Sequence, residues 1–505
     1  MSGADAAAAG WWNRRVVLWA AVLLAAVPLA WPAVPPLYDL PDHLGRYHVM
    51  LDYARSPLLQ RQWQFAWALV PNLGVDLIVM ALAPMLGVVA ATKLVVMAIP
   101  PLTVAGFFAL SRAATGRVSP AIGFALPLAY AGPFQLGFVN FCLAAALALL
   151  ATAGWIATGR RETGWRRTLL FAPVAFLLWL AHSSGWGMFG LLVFAAEWQR
   201  LRSAGAGAFD ALAGAALRVA PLGFPLLLML GDSTAGGIGA EWQVIGKFLW
   251  LLTLLRDRWQ AYDLISTAVV LTAIYAGWRM TALRFHPVLL AMALALLAAF
   301  LALPWAMVGG AYVDMRLLPF ALALLLVAIV PRSEPAGAGG GTLALLGALF
   351  FIQRVTATTA SFALIASAQG QAASVLPALP RGASMLTLVN EGCIVDWNPN
   401  RFGHLGGMAT ATRDAFTNSA WSLAGQQLVR SRMTGWFSAD PSQMIRPRRC
   451  PDATPTLPQA LAGFDRRAFA YVWLLDFPAD QPVARDMEAI GRAPRSVLYR
   501  VQPSH

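Results

Sequence analysis

The sequence predicts a mainly α-helical, polytopic membrane protein: a bundle of about eleven transmembrane helices, followed by a small C-terminal α/β domain on the periplasmic side. Three observations carry this expectation. The chain of 505 residues is 58% hydrophobic and only 12% charged, whereas soluble globular proteins carry roughly 25% charged residues. Its cations occur in short clusters between apolar runs, the pattern that sets membrane topology. After about Ser367 the composition becomes that of a soluble domain. The formal net charge of +13 is therefore spread along the chain rather than gathered into a basic block, which argues against a nucleic-acid partner.

The elements follow in order. After Trp11-Trp12-Asn13-Arg14-Arg15 an apolar run extends from Val16 to about Pro35, long enough to cross ~30 Å of hydrocarbon. No small-residue cleavage site follows it, so it reads as a first span and not a signal peptide. Arg14 and Arg15 place the N-terminus in the cytoplasm, in the inner membrane of a bacterium. A polar outer loop follows over 37–90. Its last part, 71–90, contains Asp76 and Pro84, and reads as a helix on the outer surface or as a short span. The surface helix is favoured because it leaves Arg112 and Arg117 in the cytoplasm.

Further spans are expected at 92–110, 119–133, 136–157, 168–182, 185–198, 215–230, 261–278, 287–304, 316–330 and 342–365. This register puts Arg160, Arg161, Arg166, Arg167, Arg200, Arg202 and Arg218 inside, and a second long loop, 231–260, outside. Residues 333–341 read as a flexible connector. The expected division is a membrane domain over 1–366 and a periplasmic domain over 367–505, with strand-like runs at Ser384–Val389, Ala470–Leu475 and Ser496–Val501. Cys142 lies in an apolar run. Cys393 and Cys450 would share an oxidising compartment, where one disulfide is allowed but spacing does not decide it.

Chemistry-bearing residues collect at the outer level. The first loop opens Tyr38-Asp39-Leu40-Pro41-Asp42-His43-Leu44-Gly45-Arg46. If a helix starts near Leu40, Asp39 and Asp42 share a face, and a partly dehydrated carboxylate there can act as a general base. Arg46, one turn on, could meet a phosphate. The competing reading makes both aspartates helix caps. Arg316, within Tyr312-Val313-Asp314-Met315-Arg316, could bind a lipid-linked phosphate or pair internally with Asp314. His182 reads as a packing residue or a ligand contact, and His404, without an evident partner, as a surface or core histidine. Asn72, Asp76, Gln135 and Asn140 would suit a polar cavity near the same level. Nucleotide-binding loops, nucleophile elbows and zinc-ligand motifs are absent from the sequence.

The layout resembles the GT-C superfamily of integral-membrane glycosyltransferases. Within it the chain looks like a group of bacterial membrane proteins whose first loop reads Asp-x-Pro-Asn/Asp-His-Leu-x-Arg followed by Pro-Asn-Leu. Here these are Asp39, Pro41, Asp42, His43, Leu44 and Arg46, then Pro71-Asn72-Leu73; the stretches Gly137–Phe141 and Leu498–Val501 are also similar. The resemblance implies sugar transfer from a polyprenyl-phosphate donor to a glycan, lipid or protein acceptor on the outer face. It implies a catalytic role for Asp39 or Asp42, with Asp39 favoured, and phosphate contacts from Arg316, Arg46, His43 or His182. No metal site is evident, although a divalent cation is a cofactor that some members use. Two alternatives remain beside it: a non-catalytic assembly protein on the same scaffold, and a lipid or glycan transporter.

Overall fold

The computed structural model describes residues 10–159, 164–230, 239–307, 310–333, 338–393, 396–398, 400–421, 427–438, 440–450, 454–478 and 480–502. Arg160, Arg161, residues 231–238 of the second loop and 334–337 of the connector lie outside them. The fold is mainly helical and polytopic, with a mixed sheet near the C-terminus. Among the described residues, four helices are long and apolar enough to cross a membrane: Val88–Thr115, Val139–Thr158, Gln260–Arg279 and one spanning Gly339–Ala378. Shorter apolar helices include Arg15–Leu24, Gly74–Leu86, Pro287–Ala302 and Leu318–Val327.

The expected first span divides into Arg15–Leu24 and Val27–Ala30, and two further expected spans are broken helices for which proline accounts. The 119–133 stretch folds as 3-10 turns at Ile122–Phe124 and Leu126–Tyr130 and a short helix at Gly132–Leu136. Pro120, Pro127 and Pro133 cannot donate the backbone hydrogen bonds a continuous helix needs. The 215–230 stretch divides into Ala208–Val219 and Pro225–Leu230, with a 3-10 turn holding Pro221 between them.

The chain divides into two compact units. The first comprises Met1–Ala30, Val70–Val75 and Met97–Thr359. Its interior is aromatic, with Phe141, Trp155, Trp179 and Phe189 almost fully buried. The Val139–Thr158 and Ser183–Ser203 helices run close together because Gly185 has no side chain; a Cβ there would stand 2.4 Å from that of Ala144. Asn140 is structural and not a cavity-lining group: its Oδ1 accepts from Val75 N at 2.6 Å and its Nδ2 donates to Asn72 O at 2.7 Å.

The second unit comprises Trp31–Leu69, Asp76–Val96 and Ala360–His505. Its core is a six-stranded mixed sheet: β1 (Ser384–Asn390), β2 (Phe416–Thr417), β3 (Met444–Ile445), β4 (Tyr471–Leu475), β5 (Met487–Ala493) and β6 (Ser496–Val501). The path runs β2-β1-β4-β6-β5, with β3 also on β1. Strand β1 is parallel to β2, β3 and β4, and β6 is antiparallel to β4 and β5. Met385, Val389, Trp473, Leu475 and Leu498 pack with Leu376 and Leu379 beneath it. Cys393 and Cys450 are joined in a disulfide, which settles the pairing that spacing left open.

Candidate functional site

The first-loop motif forms a helix over Leu40–Asp52, with Asp39 at its N-cap position and Pro41 in its first turn. Proline suits that place, since its missing N–H is one the helix would not use. The Asp39 side chain makes no capping hydrogen bond, so the capping reading fails for this residue. The helix lies against the Gly407–Arg413 helix through two glycines. A Cβ on Gly407 would come within 2.3 Å of Pro41 O, and one on Gly45 within 2.9 Å of Gly407 O.

This close approach brings His404 to the first-loop carboxylates, so its reading as a histidine without an evident partner is corrected. Its Nε2 lies 3.7 Å from Asp39 Oδ1 and 3.6 Å from Asp440 Oδ1. Its Nδ1 is 2.9 Å from Ser419 O, and a carbonyl can only accept, so Nδ1 carries a proton. Gln443 braces the group, accepting from His404 N at 3.1 Å and donating to Asp440 Oδ1 at 2.7 Å. Tyr38 and Trp421 stand edge-on to the imidazole. Burial opposes protonation of His404, but Asp440, Asp39, Asp42 and the Ser419 carbonyl outweigh it and raise its pKa to about 9. An imidazolium therefore stands between the Asp39 and Asp440 carboxylates at neutral pH.

Asp42 is more deeply buried, and Ser419 Oγ donates to its Oδ1 at 3.4 Å. Burial pushes its pKa up to about 6 against the opposing field of His404. His43 is buried edge-on to Trp421 and stacked near Tyr47. Arg46 forms an ion pair with Asp76 at 2.9 Å, so the guanidinium expected to meet a phosphate already has a carboxylate. Beside the cluster, Tyr38 donates to Glu391 Oε1, and Arg446 pairs with Glu391 Oε2 at 3.3 Å.

The first unit holds the other two candidates together. Arg316 Nη1 is 3.1 Å from His182 Nε2, Nη2 donates to Ala311 O at 3.1 Å, and the guanidinium lies over the Phe138 ring at 4.7 Å. Asp314 is not its partner; Lys247 Nζ takes that carboxylate at 2.9 Å. His182 caps the Ser183–Ser203 helix by accepting from Ser184 N at Nδ1, 3.0 Å away. A neutral imidazole has one donor and one acceptor. With Nδ1 accepting, Nε2 bears the hydrogen and faces a guanidinium that also only donates.

Among the described residues, no group of three or more His, Cys, Asp or Glu side chains could hold a metal ion. The Arg46–Asp76 pair and the pairing of His404 with Asp39 both depend on long-range folding. The one local signal for the latter is the glycine-rich run Arg401-Phe402-Gly403-His404-Leu405-Gly406-Gly407.

No protein-family model matches the chain, and no curated protein matches it. Among solved structures it is similar to ArnT from Cupriavidus metallidurans, in the apo state and bound to undecaprenyl phosphate. Identities are 11% and 12%, the TM-score is 0.47 for both, and 96% of this chain and 97% of that chain are covered.

Proposed function

We propose that the protein is a GT-C-like glycosyltransferase that moves a sugar from a polyprenyl-phosphate donor to an acceptor hydroxyl on the outer face of the membrane. The observation that carries this reading is Asp39: a carboxylate at the start of the first-loop helix, not used as a cap, with the His404 imidazole 3.7 Å away. In the proposed step the acceptor O–H gives its proton to Asp39 as its oxygen bonds to the anomeric carbon. The bond between that carbon and the donor phosphate oxygen breaks, and the electron pair leaves with the polyprenyl phosphate. Arg316 and His182, neighbours within the first unit, are proposed separately as contacts for a phosphate group. His404 positions Asp39 through charge, while Asp42, more deeply buried and bonded by Ser419, holds the helix start in place.

The test compares the glycans and lipids of cells carrying the wild type, a full deletion, Asp39→Asn or Arg316→Gln. Loss of a general base is expected to lower transfer roughly 10²–10⁴-fold, so Asp39→Asn should reproduce the deletion profile while the protein still folds. A deletion phenotype that Asp39→Asn fully rescues would instead establish the non-catalytic assembly reading.

A further inference from the structure

The first unit gathers a second concentration of charge at Glu197, apart from the residues discussed above. The carboxylate is almost fully buried and receives four donors: Trp155 Nε1 at 3.0 Å, Arg167 Nη2, Arg200 Nε at 3.1 Å and Arg218 Nη1 at 3.1 Å. These come from the end of the Val139–Thr158 helix, the start of Trp165–Ala181 and the ends of Ser183–Ser203 and Ala208–Val219. Arg167 is buried flat over the Trp155 ring at 4.1 Å. Gly159 leaves it room, since a Cβ there would stand 2.0 Å from Arg167 Nη1.

We propose that this cluster binds the phosphate head group of an anionic phospholipid. Among the described residues, three guanidiniums share this one carboxylate, so two positive charges remain uncompensated within this group. Glu197 already accepts four hydrogen bonds, as many as its oxygens readily take. The Arg200 and Arg218 side chains are 35% and 36% exposed. A guanidinium has five N–H donors, and the contacts with Glu197 occupy only part of each set. The surroundings favour a lipid over a free ion. Trp165, Leu169 and Leu217 are 69%, 56% and 76% exposed, apolar surface suited to acyl chains, with a tryptophan of the kind found at head-group level. Basic pockets between membrane helices recognise anionic head groups on these terms, and arginine matches phosphate geometry.

The test is thermal unfolding of the full-length protein in detergent. Phosphatidylglycerol, phosphatidylcholine of the same acyl composition, or inorganic phosphate is added. Phosphatidylglycerol alone should raise the midpoint, and Arg200→Gln/Arg218→Gln should need roughly tenfold more of it or better for the same shift. The double variant keeps Arg167 and Trp155 on Glu197. If it does not fold, the three additives on the wild type still decide. Equal stabilisation by the two lipids would overturn the proposal in favour of a structural ion cluster. Stabilisation by inorganic phosphate alone matching that by phosphatidylglycerol would reduce it to a free-anion site, and a double variant with an unchanged lipid response would place any lipid elsewhere.

Discussion

His404 adopts a left-handed backbone conformation, φ 62°, uncommon for residues with a side chain, although histidine tolerates it better than most. That turn of the chain points the imidazole at Asp39 and Asp440, and nothing in the identity of residue 404 announces it. The consequence is testable through pH. A histidine whose pKa rises from 6.5 unfolded to about 9 folded stabilises the folded state fully below 6.5, and that contribution is lost as pH rises through about 9. Asp42, raised from 3.8 to about 6, works in the same direction lower down, since its favoured neutral form is lost over that range. The unfolding midpoint of the wild type is therefore expected to fall between pH 6.5 and 9, a contribution on the order of 3 kcal/mol. In His404→Gln that fall should flatten, and the midpoint near neutral pH should be lower. A wild-type midpoint that rises over this range would refute the assigned charge. At the same scale, Arg46 pairs with Asp76, thirty residues on in sequence and beyond the reach of any local pattern.

Elements were legible where their patterning was strong. The apolar strand-like runs emerge as β1, β4 and β6 with nearly the same bounds, because a short buried strand needs little beyond a continuous apolar run. The short β2 and β3 carry no such pattern; their pairing with β1 depends on the sheet already being there. Proline marked the broken helices at 119–133 and 215–230 in the sequence, but apolar content alone concealed the break. The glycine contact between the Leu40–Asp52 and Gly407–Arg413 helices is a sharper test of how the site is assembled. Gly407→Ala would drive its methyl into the backbone at Pro41 and Asp42, a clash that no side-chain rotation relieves. It is expected to destabilise the protein by about 1–3 kcal/mol or more, and to reduce transfer by displacing Asp39. An alanine variant with wild-type unfolding and wild-type glycan profile would show the contact to be dispensable.

For the whole molecule, the distribution of arginines supports an orientation with the N-terminus in the cytoplasm and the C-terminal domain in the periplasm. Single cysteines at two exposed positions test it: Arg202→Cys and Trp436→Cys, with Cys142 buried and Cys393–Cys450 bonded in both. An impermeant maleimide on intact cells (outer membrane opened) should label position 436 and spare 202. The reverse pattern would invert the topology and remove the outer-face site. The sequence by itself determined that helices dominate a polytopic membrane chain and that strands gather towards its C-terminus, because composition and local apolar patterning act over a few turns of chain. It also pointed to the carboxylates of the first loop. Tertiary structure alone decided their surroundings: that Asp42 is the more deeply buried, that Arg46 pairs with Asp76, and that His404 joins them. Burial and charge depend on neighbours brought in from hundreds of residues away, and no local pattern encodes their distance.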